Sequence, residues 1–371
     1  MKKRVYQHDM HKKVCPHFEQ CSGCVYPFLD TPPEIYKEAK KYFASHQIGL
    51  SLEKGRGVRY RSKLAVRGEK LGLFYKDSHD VIEIPECYVH HPALNLAFKE
   101  FKRLFLKSTL QGYDEKTHRG DIRYIQGVVE RKTEKVQLTI VLKNKHVAYM
   151  PLCTELYETG LFHSIWINIQ KEKTNVIFGK EWSLTCGEQF LVQRIGNVDI
   201  PFLPSHFCQA PLDMFDLLLQ DIQAHIKQDS QVLELYGGSG SIGLNVAHKA
   251  KSVVITERDR EAEDSFQKAV EAFPYKEKVS FCVADAANAL TLFQKRAGVL
   301  IVDPPRKGLS SKIIEMIPDV EKLIYVSCNF SSFQRDVAHL MQKGFIIQAA
   351  KSYLFFPGTN HIELCALFGK K

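Results

Sequence analysis

Apolar positions change rhythm twice along the chain. Between about 58 and 180 they alternate with polar ones or run in short β-branched and aromatic stretches: VRYRSKLAVRG, KLGLFYK, VQLTIVLKN and SIWINIQ. That pattern predicts strands, interrupted by a helix near 92–109. Beyond about 205 a short apolar run and a helical stretch take turns. A helix near 211–227 precedes QVLELY, and SVVITE, VSFCVAD, GVLIVDPP and KLIYVSC come after it, each separated by a helix. Apolar strands alternating with helices predict a parallel sheet covered on both faces. FIIQAAKSYLF and HIELCALFG close the chain as terminal strands. Upstream, Thr31, Pro32 and Pro33 mark the start of a helix that runs to about Ile48.

The expected fold is therefore α/β. A doubly wound, Rossmann-like domain spans 196–371, and a mostly β domain with basic residues on its exposed faces spans 56–195. A helix within 31–55 packs on the C-terminal domain, and a basic tail with a cysteine-bearing segment occupies 1–30. Hydrophobic residues make up 44% and charged residues 25%, the balance of a globular chain. No apolar run is long enough to span a membrane, and none follows the basic start as a secretory signal requires. The net charge of +9 is concentrated in the first 76 residues. Such asymmetry points to a polyanion bound mainly by one end, against the alternative of a surface kept basic for solubility. RGVRYRSKLAVRG interleaves Arg and Lys with Tyr60, a composition that grips phosphates and stacks on unpaired bases. Ten cysteines in a chain of this size without a signal suit a reducing, cytoplasmic setting.

Candidate chemistry clusters at predicted strand ends. In VLELYGGSGSIGL, Gly238, Gly240 and Gly243 fit G-x-G-x-x-G, a turn that admits a ligand close to the backbone. Glu257 ends the next strand, where a carboxylate accepts from ribose hydroxyls, and Asp285 follows the third at a position suited to an adenine amino group. The turn and Glu257 leave NAD and S-adenosylmethionine open. Asp303-Pro304-Pro305-Arg306 after the fourth strand tilts the choice to S-adenosylmethionine, since an NAD enzyme has no evident need of it. Arg306, where amino methyltransferases carry an aromatic residue and RNA cytosine-5 enzymes a cysteine in the loop, argues against both. Cys328 lies just past the fifth strand in LIYVSCNFSS, flanked by Ser327 and Asn329, in a polar loop rather than a core. A thiolate adding to carbon 6 of uracil makes carbon 5 nucleophilic, and a base must later remove the carbon 5 proton. Glu363 is the candidate base, preferred to nearby His361. Cys15, Cys21 and Cys24 form C-x5-C-x2-C, and Cys87 would complete a set of four thiolates for zinc or an iron–sulfur cluster.

From Cys15 to the C-terminus these motifs resemble the S-adenosylmethionine-dependent RNA uracil-5 methyltransferases. HFCQAP is similar to the family's FFQ-x-N segment and implies Gln209 on the cofactor; VLELYGGSG implies Tyr236 beside it. DPPRKGL, YVSCN and FFPGTNHIE resemble the family's Asp-Pro-Pro-Arg, nucleophile and base motifs. Gly237 stands where the family has Cys, a change expected only to loosen packing. Leu354 replaces an Asp, which puts any role of that carboxylate in doubt. CPHFEQCSGC resembles the iron–sulfur segment of ribosomal-RNA members, so the resemblance implies a [4Fe–4S] cluster over zinc. With 14 residues before Cys15 and no room there for a TRAM domain, it implies the shorter 23S rRNA enzymes and a monomer. A transfer-RNA substrate is the alternative within the family. A non-catalytic RNA-binding protein on the same fold is the alternative of another class, which intact Cys328 and Glu363 oppose.

Overall fold

The computed structural model describes residues 14–55, 58–78, 80–145, 148–293 and 298–370; the basic tail over 1–13 and Arg56 lie outside them. Helix α1 (Glu34–Ser45) begins after extended Pro33, whose fixed backbone cannot continue a helix backwards. It is followed by strand β1 (Leu50–Glu53). The central region is a seven-stranded sheet built from β2 (Arg61–Arg67), β3 (Lys70–Phe74), β4 (Val81–Glu83), β5 (Ile122–Val129), β6 (Val136–Leu142), β7 (Phe162–Ile169) and β8 (Glu181–Gly187). Their order is β4-β3-β2-β5-β6-β7-β8, antiparallel except for β6 and β7. Helix α2 (Pro92–Phe105) buries Leu94, Ala97, Phe98, Phe101, Leu104 and Phe105 at helical spacing, and α3 (Tyr149–Glu158) makes the crossover between the parallel pair. Strand β5, α3 and β8 are elements the chain pattern leaves unassigned.

Strands β9 (Leu191–Ile195) and β10 (Val198–Phe202) pair as a hairpin. A domain boundary at 195/196 would cut its turn. The hairpin is tied to both sides: the Gly196 amide donates to Asp216 at 2.7 Å and Asn245 to the Ile195 carbonyl at 3.0 Å, while Gln193 donates to the Val129 carbonyl at 2.6 Å.

The remaining elements are α4 (Leu212–His225), β11 (Ser230–Leu235), α5 (Ser241–Val246), β12 (Ala250–Glu257), α6 (Glu261–Val270), β13 (Val279–Val283), α7 (Ala286–Phe293), β14 (Val299–Val302), α8 (Ser311–Met316), β15 (Lys322–Ser327), α9 (Phe330–Gln342), β16 (Phe345–Tyr353) and β17 (Glu363–Lys370). With β1 they form an eight-stranded sheet in the order β1-β16-β17-β15-β14-β11-β12-β13. Alternate residues enter opposite layers: Val232, Val299 and Ile301 join one core, and Leu233, Leu300 and Val302 the other. Period-two side chains buried on both faces are what make these strands continuous apolar runs. The sheet is not wholly parallel, because β17 runs against both β15 and β16. Segment 31–55 joins it, with β1 paired to β16 and α1 set on α9 through Phe43 against Phe333, centroids 5.7 Å apart.

The basic stretch around β2 differs from the expectation of an RNA-gripping stripe. The Arg61 guanidinium donates to Gln126 and to the carbonyls of Pro204 and His206. Arg67 donates to the carbonyls of Val66 and Arg123, to Glu115 and to the Tyr124 hydroxyl. Tyr60 is buried, its ring beside His91 and its hydroxyl on Asp213. Arg131 pairs with Asp213 at 2.5 Å and Asp216 at 2.6 Å. Tyr60, Arg61 and Arg131 thus join the central sheet to the 204–216 segment, while Arg67 is held within the central region, since buried cations and hydroxyls need partners.

Phe333 is fully buried among Phe43, Tyr325 and Phe368. Phe333→Ala should lower unfolding free energy in urea by about 3–5 kcal/mol.

Candidate active site

Strand order sets the site. At one edge of the large sheet, neighbouring strands present Glu363 (start of β17), Cys328 (after β15), Asp303 (after β14), Tyr236 (after β11), Glu257 (end of β12) and Asp285 (after β13). This is the carboxyl-terminal edge of the parallel strands, where ligands bind in open α/β sheets. Ser327 pairs with Leu364, so the next step of the antiparallel register sets Cys328 across from Glu363. Leu235 pairs with Val302, which brings Tyr236 and Asp303 side by side.

Cys328 occupies the junction between β15 and α9. The Asn329 side chain caps α9 by accepting from the Ser332 amide at 2.9 Å, and the Ser332 hydroxyl donates to the Arg306 carbonyl at 2.9 Å. The Asp303–Arg306 loop is thereby fixed to the turn that carries the thiol. Burial pushes the Cys328 thiol up to about 11, with the carboxylates of Glu363 and Asp303 adding to the shift and Arg306 opposing it. Burial also raises Glu363 well above the carboxylate range; Asp303 reinforces the rise and Arg306 counters it. Asp303 itself is raised to about 7 by burial. Protonation of these three groups is linked, because charge on one disfavours charge on the next.

The glycine turn is tightly built. Tyr236 has φ 61° and Gly240 φ 83°; for tyrosine this is a sparsely populated conformation held by its surroundings. A β-carbon on Gly237 would lie 2.6 Å from Ile255 Cγ2 and 3.1 Å from Glu234 Cδ. The expectation that glycine loosens packing here is corrected: the site has no room for a side chain. Glu257 accepts from the amides of Gly238, Arg258 and Asp259. Asp285 accepts from the Asn288 amide and side chain at the start of α7. Leu354 is buried, and its amide donates to the Glu53 carbonyl at 3.0 Å.

Gln209 stands apart from the six edge residues. It lines a cavity of about 600 Å³ together with Cys15, Cys21, Cys24 and Cys87. Phe356, from the loop leading to Glu363, lines it too. The Gly23 amide donates to the Cys21 sulfur at 3.3 Å, and neighbouring backbone groups, His17 at Cys15 and Val89 and His90 at Cys87, favour the thiolate forms. Burial raises all four thiols, and Cys87 adds to the rise at Cys15, Cys21 and Cys24. Among the described residues no group of three or more His, Cys, Asp or Glu side chains is arranged to hold a metal ion.

Sequence reasoning assigns Glu234 no role, although an acidic residue inside the apolar run VLEL is itself a signal. Its fully buried carboxyl accepts from the Gly243 amide at 2.8 Å through one oxygen, and the other has no partner. Burial pushes it up to about 8, with Asp303 and Glu257 adding to the rise.

Residues 206–371 match the family model described as tRNA (Uracil-5-)-methyltransferase. An uncharacterized RNA methyltransferase of Protochlamydia amoebophila is 38% identical over 95% of this chain and 97% of its own length. Another from Oceanobacillus iheyensis is 31% identical over 83% of this chain and 70% of its own length. The fold is shared with the tRNA (uracil-54, C5)-methyltransferase of Pyrococcus abyssi, solved with S-adenosyl-L-homocysteine. That match has a TM-score of 0.80 and 23% identity, and covers 95% of this chain and 86% of that one. A nucleotide-binding α/β sheet that ends in a cysteine, three carboxylates and an Asp-Pro-Pro-Arg turn marks a methyltransferase. The chain belongs to the S-adenosylmethionine-dependent RNA uracil-5 methyltransferase family. No described helix is long and apolar enough to cross a membrane.

The pH dependence of stability tests Glu234. A carboxyl at about 8 in the fold against an ordinary 4.5 holds its proton more tightly when folded. Its favourable contribution is complete below 4.5 and lost as pH rises through about 8. Glu234→Gln, which does not titrate, should therefore gain melting temperature relative to the parent as pH rises from about 5 to about 8.5. A difference that stays constant with pH would contradict the assignment.

Proposed function

We propose that the protein methylates carbon 5 of a specific uridine in 23S rRNA through a covalent adduct between Cys328 and carbon 6 of the base. The observation that carries this reading is the β15–β17 register, which sets Cys328 opposite Glu363 with Asp303 on the adjoining strand. The target base must leave its stack to reach a thiol at the sheet edge, so a loop uridine is the expected acceptor.

The resting sulfur is protonated, and Arg306 is the cation that favours its thiolate. Addition of the thiolate to carbon 6 turns carbon 5 into an enolate-like nucleophile. S-adenosylmethionine, when bound, supplies the electrophilic methyl group. Tyr236, Glu257 and Asp285 are the residues to hold it at the glycine turn, and Gln209 is assigned to it on the family resemblance of its HFCQAP segment. Asp303 orients the reacting edge. Glu363 then takes the carbon 5 proton and the sulfur leaves. That role requires Glu363 as a carboxylate, against burial and Asp303 and with the help of Arg306.

RNA carrying 5-fluorouridine tests both steps, because fluorine cannot leave as a proton does. Incubation with S-adenosylmethionine should give a gel-stable protein–RNA adduct, and Cys328→Ala should give none. Run in parallel on 23S rRNA fragments and on transfer RNA, the assay also decides the acceptor. Adduct on transfer RNA alone would establish the alternative that the family model's description suggests.

We further assign Cys15, Cys21, Cys24 and Cys87 to a [4Fe–4S] cluster, with zinc as the alternative. The support is that all four line one cavity, that the Gly23 amide donates to the Cys21 sulfur, and that backbone groups beside Cys15 and Cys87 favour their thiolates, as around thiolate-held clusters. Ligation requires the four thiols to close on a common centre. Methyl transfer needs no electrons, so the role is structural. Anaerobically purified protein should contain iron and labile sulfide with absorbance near 400 nm. Stoichiometric zinc instead would select the alternative, and neither metal would refute the assignment.

A further inference from the structure

Glu363 is delivered to the sheet by the loop between β16 and β17, residues 354–362. Within itself the loop has few ties, among them the Thr359 amide and hydroxyl on the Phe356 carbonyl at 3.1 and 2.8 Å. Phe355 and Ile362 anchor it in the two cores, and its polar ties run mainly to the far end of the chain. The amides of Val25 and Tyr26 both donate to the Gly358 carbonyl, at 2.7 and 3.0 Å. The Tyr26 hydroxyl donates to Asn360 Oδ1 at 3.2 Å and accepts from the Glu34 amide at 2.9 Å. Asn360 Oδ1 also accepts from the Ile35 amide at 3.0 Å. Gly358 sits directly on this segment: with φ 76°, a β-carbon there would lie 2.9 Å from Cys24 Sγ and 3.0 Å from Leu29 Cδ2. At its start the loop is held by the Glu53 carbonyl on the Leu354 amide.

An untethered loop of this length samples many backbone conformations, and few of them place its end residue for chemistry. A general base must lie within hydrogen-bond reach of the proton it takes, and a misplacement of about 1 Å can cost two orders of magnitude in rate. We propose that residues 24–35 act as a strap that positions Glu363 for the last step of the reaction, with Tyr26 and Asn360 as the positioning pair. The proposal rests on the reading of Glu363 as the base. In the methylated adduct, Glu363 takes the proton from carbon 5 and the C–H electron pair becomes the carbon 5–carbon 6 double bond. The carbon 6–sulfur bond breaks, and its pair leaves with the Cys328 sulfur. The earlier steps depend on Cys328, which the strap does not touch. A loosened strap should therefore slow release alone, and the covalent intermediate should accumulate.

The test uses the full chain, radiolabelled S-adenosylmethionine and the unmodified RNA whose fluorinated form gives the adduct. Protein–RNA adduct is read on denaturing gels at steady state. Glu363→Gln should trap most of the enzyme as methylated adduct. Tyr26→Phe and Asn360→Ala should each raise adduct several-fold and lower kcat by about 10-fold or more, with KM for RNA falling in step so that kcat/KM is unchanged. Asn360→Asp, which keeps the accepting oxygen, should restore turnover. Thermal melts confirm that the variants fold; Asn360 is exposed and Tyr26→Phe removes one hydroxyl. Trapping by Glu363→Gln with parental kinetics in both strap variants would overturn the strap alone. So would a loss confined to KM. Parental turnover by Glu363→Gln would overturn the base assignment and the strap with it.

Discussion

Strand β17 enters the large sheet between β15 and β16 in the opposite direction, so it begins where its neighbours end. A parallel β17 would put Glu363 at the far edge of the sheet, away from Cys328. The antiparallel insertion is thus the constraint on which the site depends. It also dictates a tight return from the end of β16 to the start of β17, and hence the loop over 354–362. Residues from the first 55 positions restrain that loop, and β1 extends the sheet at β16. The N-terminal segment is accordingly built into the structure around this edge of the sheet rather than appended to it.

Electrostatics at the edge follow from the same geometry. Cys328, Glu363, Asp303 and Glu234 are acids withdrawn from water near one another, and each is pushed toward its neutral form. Arg306 opposes the shift at Cys328 and Glu363. A buried carboxyl that is neutral at rest can take up charge when its neighbours give theirs up. The cost is carried in stability, since four such acids in the fold are harder to keep as pH rises.

Much of this is legible in the chain. The α/β alternation after about 205 follows from strands buried on both faces, and G-x-G-x-x-G, Asp303, Cys328 and Glu363 fall at predicted strand ends. What the chain does not disclose is three-dimensional pairing. VIE, over 81–83, is too short to register as a strand. IRYIQGVV carries Arg123 and Gln126 in its interior, and buried polar residues break the expected alternation. The hairpin over 191–202 goes unread across the expected division at 195/196, because the residues that hold it, Val129, Asp216 and Asn245, are far from it in the chain. Gly237 looks like a missing side chain until Ile255 is seen to fill the space. The convergence of Gln209 with four cysteines on one cavity joins segments that no local pattern connects.

The inward-turned cations of β2 have a consequence for how the protein meets a polyanion. Affinity for a phosphate backbone comes largely from counterions released when solvent-facing cations replace them. Arg61, Arg67 and Arg131 face carbonyls and carboxylates of their own chain, so they displace no ions from RNA. The formal charge of +9 therefore overstates the electrostatic grip. Any grip on phosphates falls instead to the solvent-facing Lys and Arg side chains elsewhere on the chain.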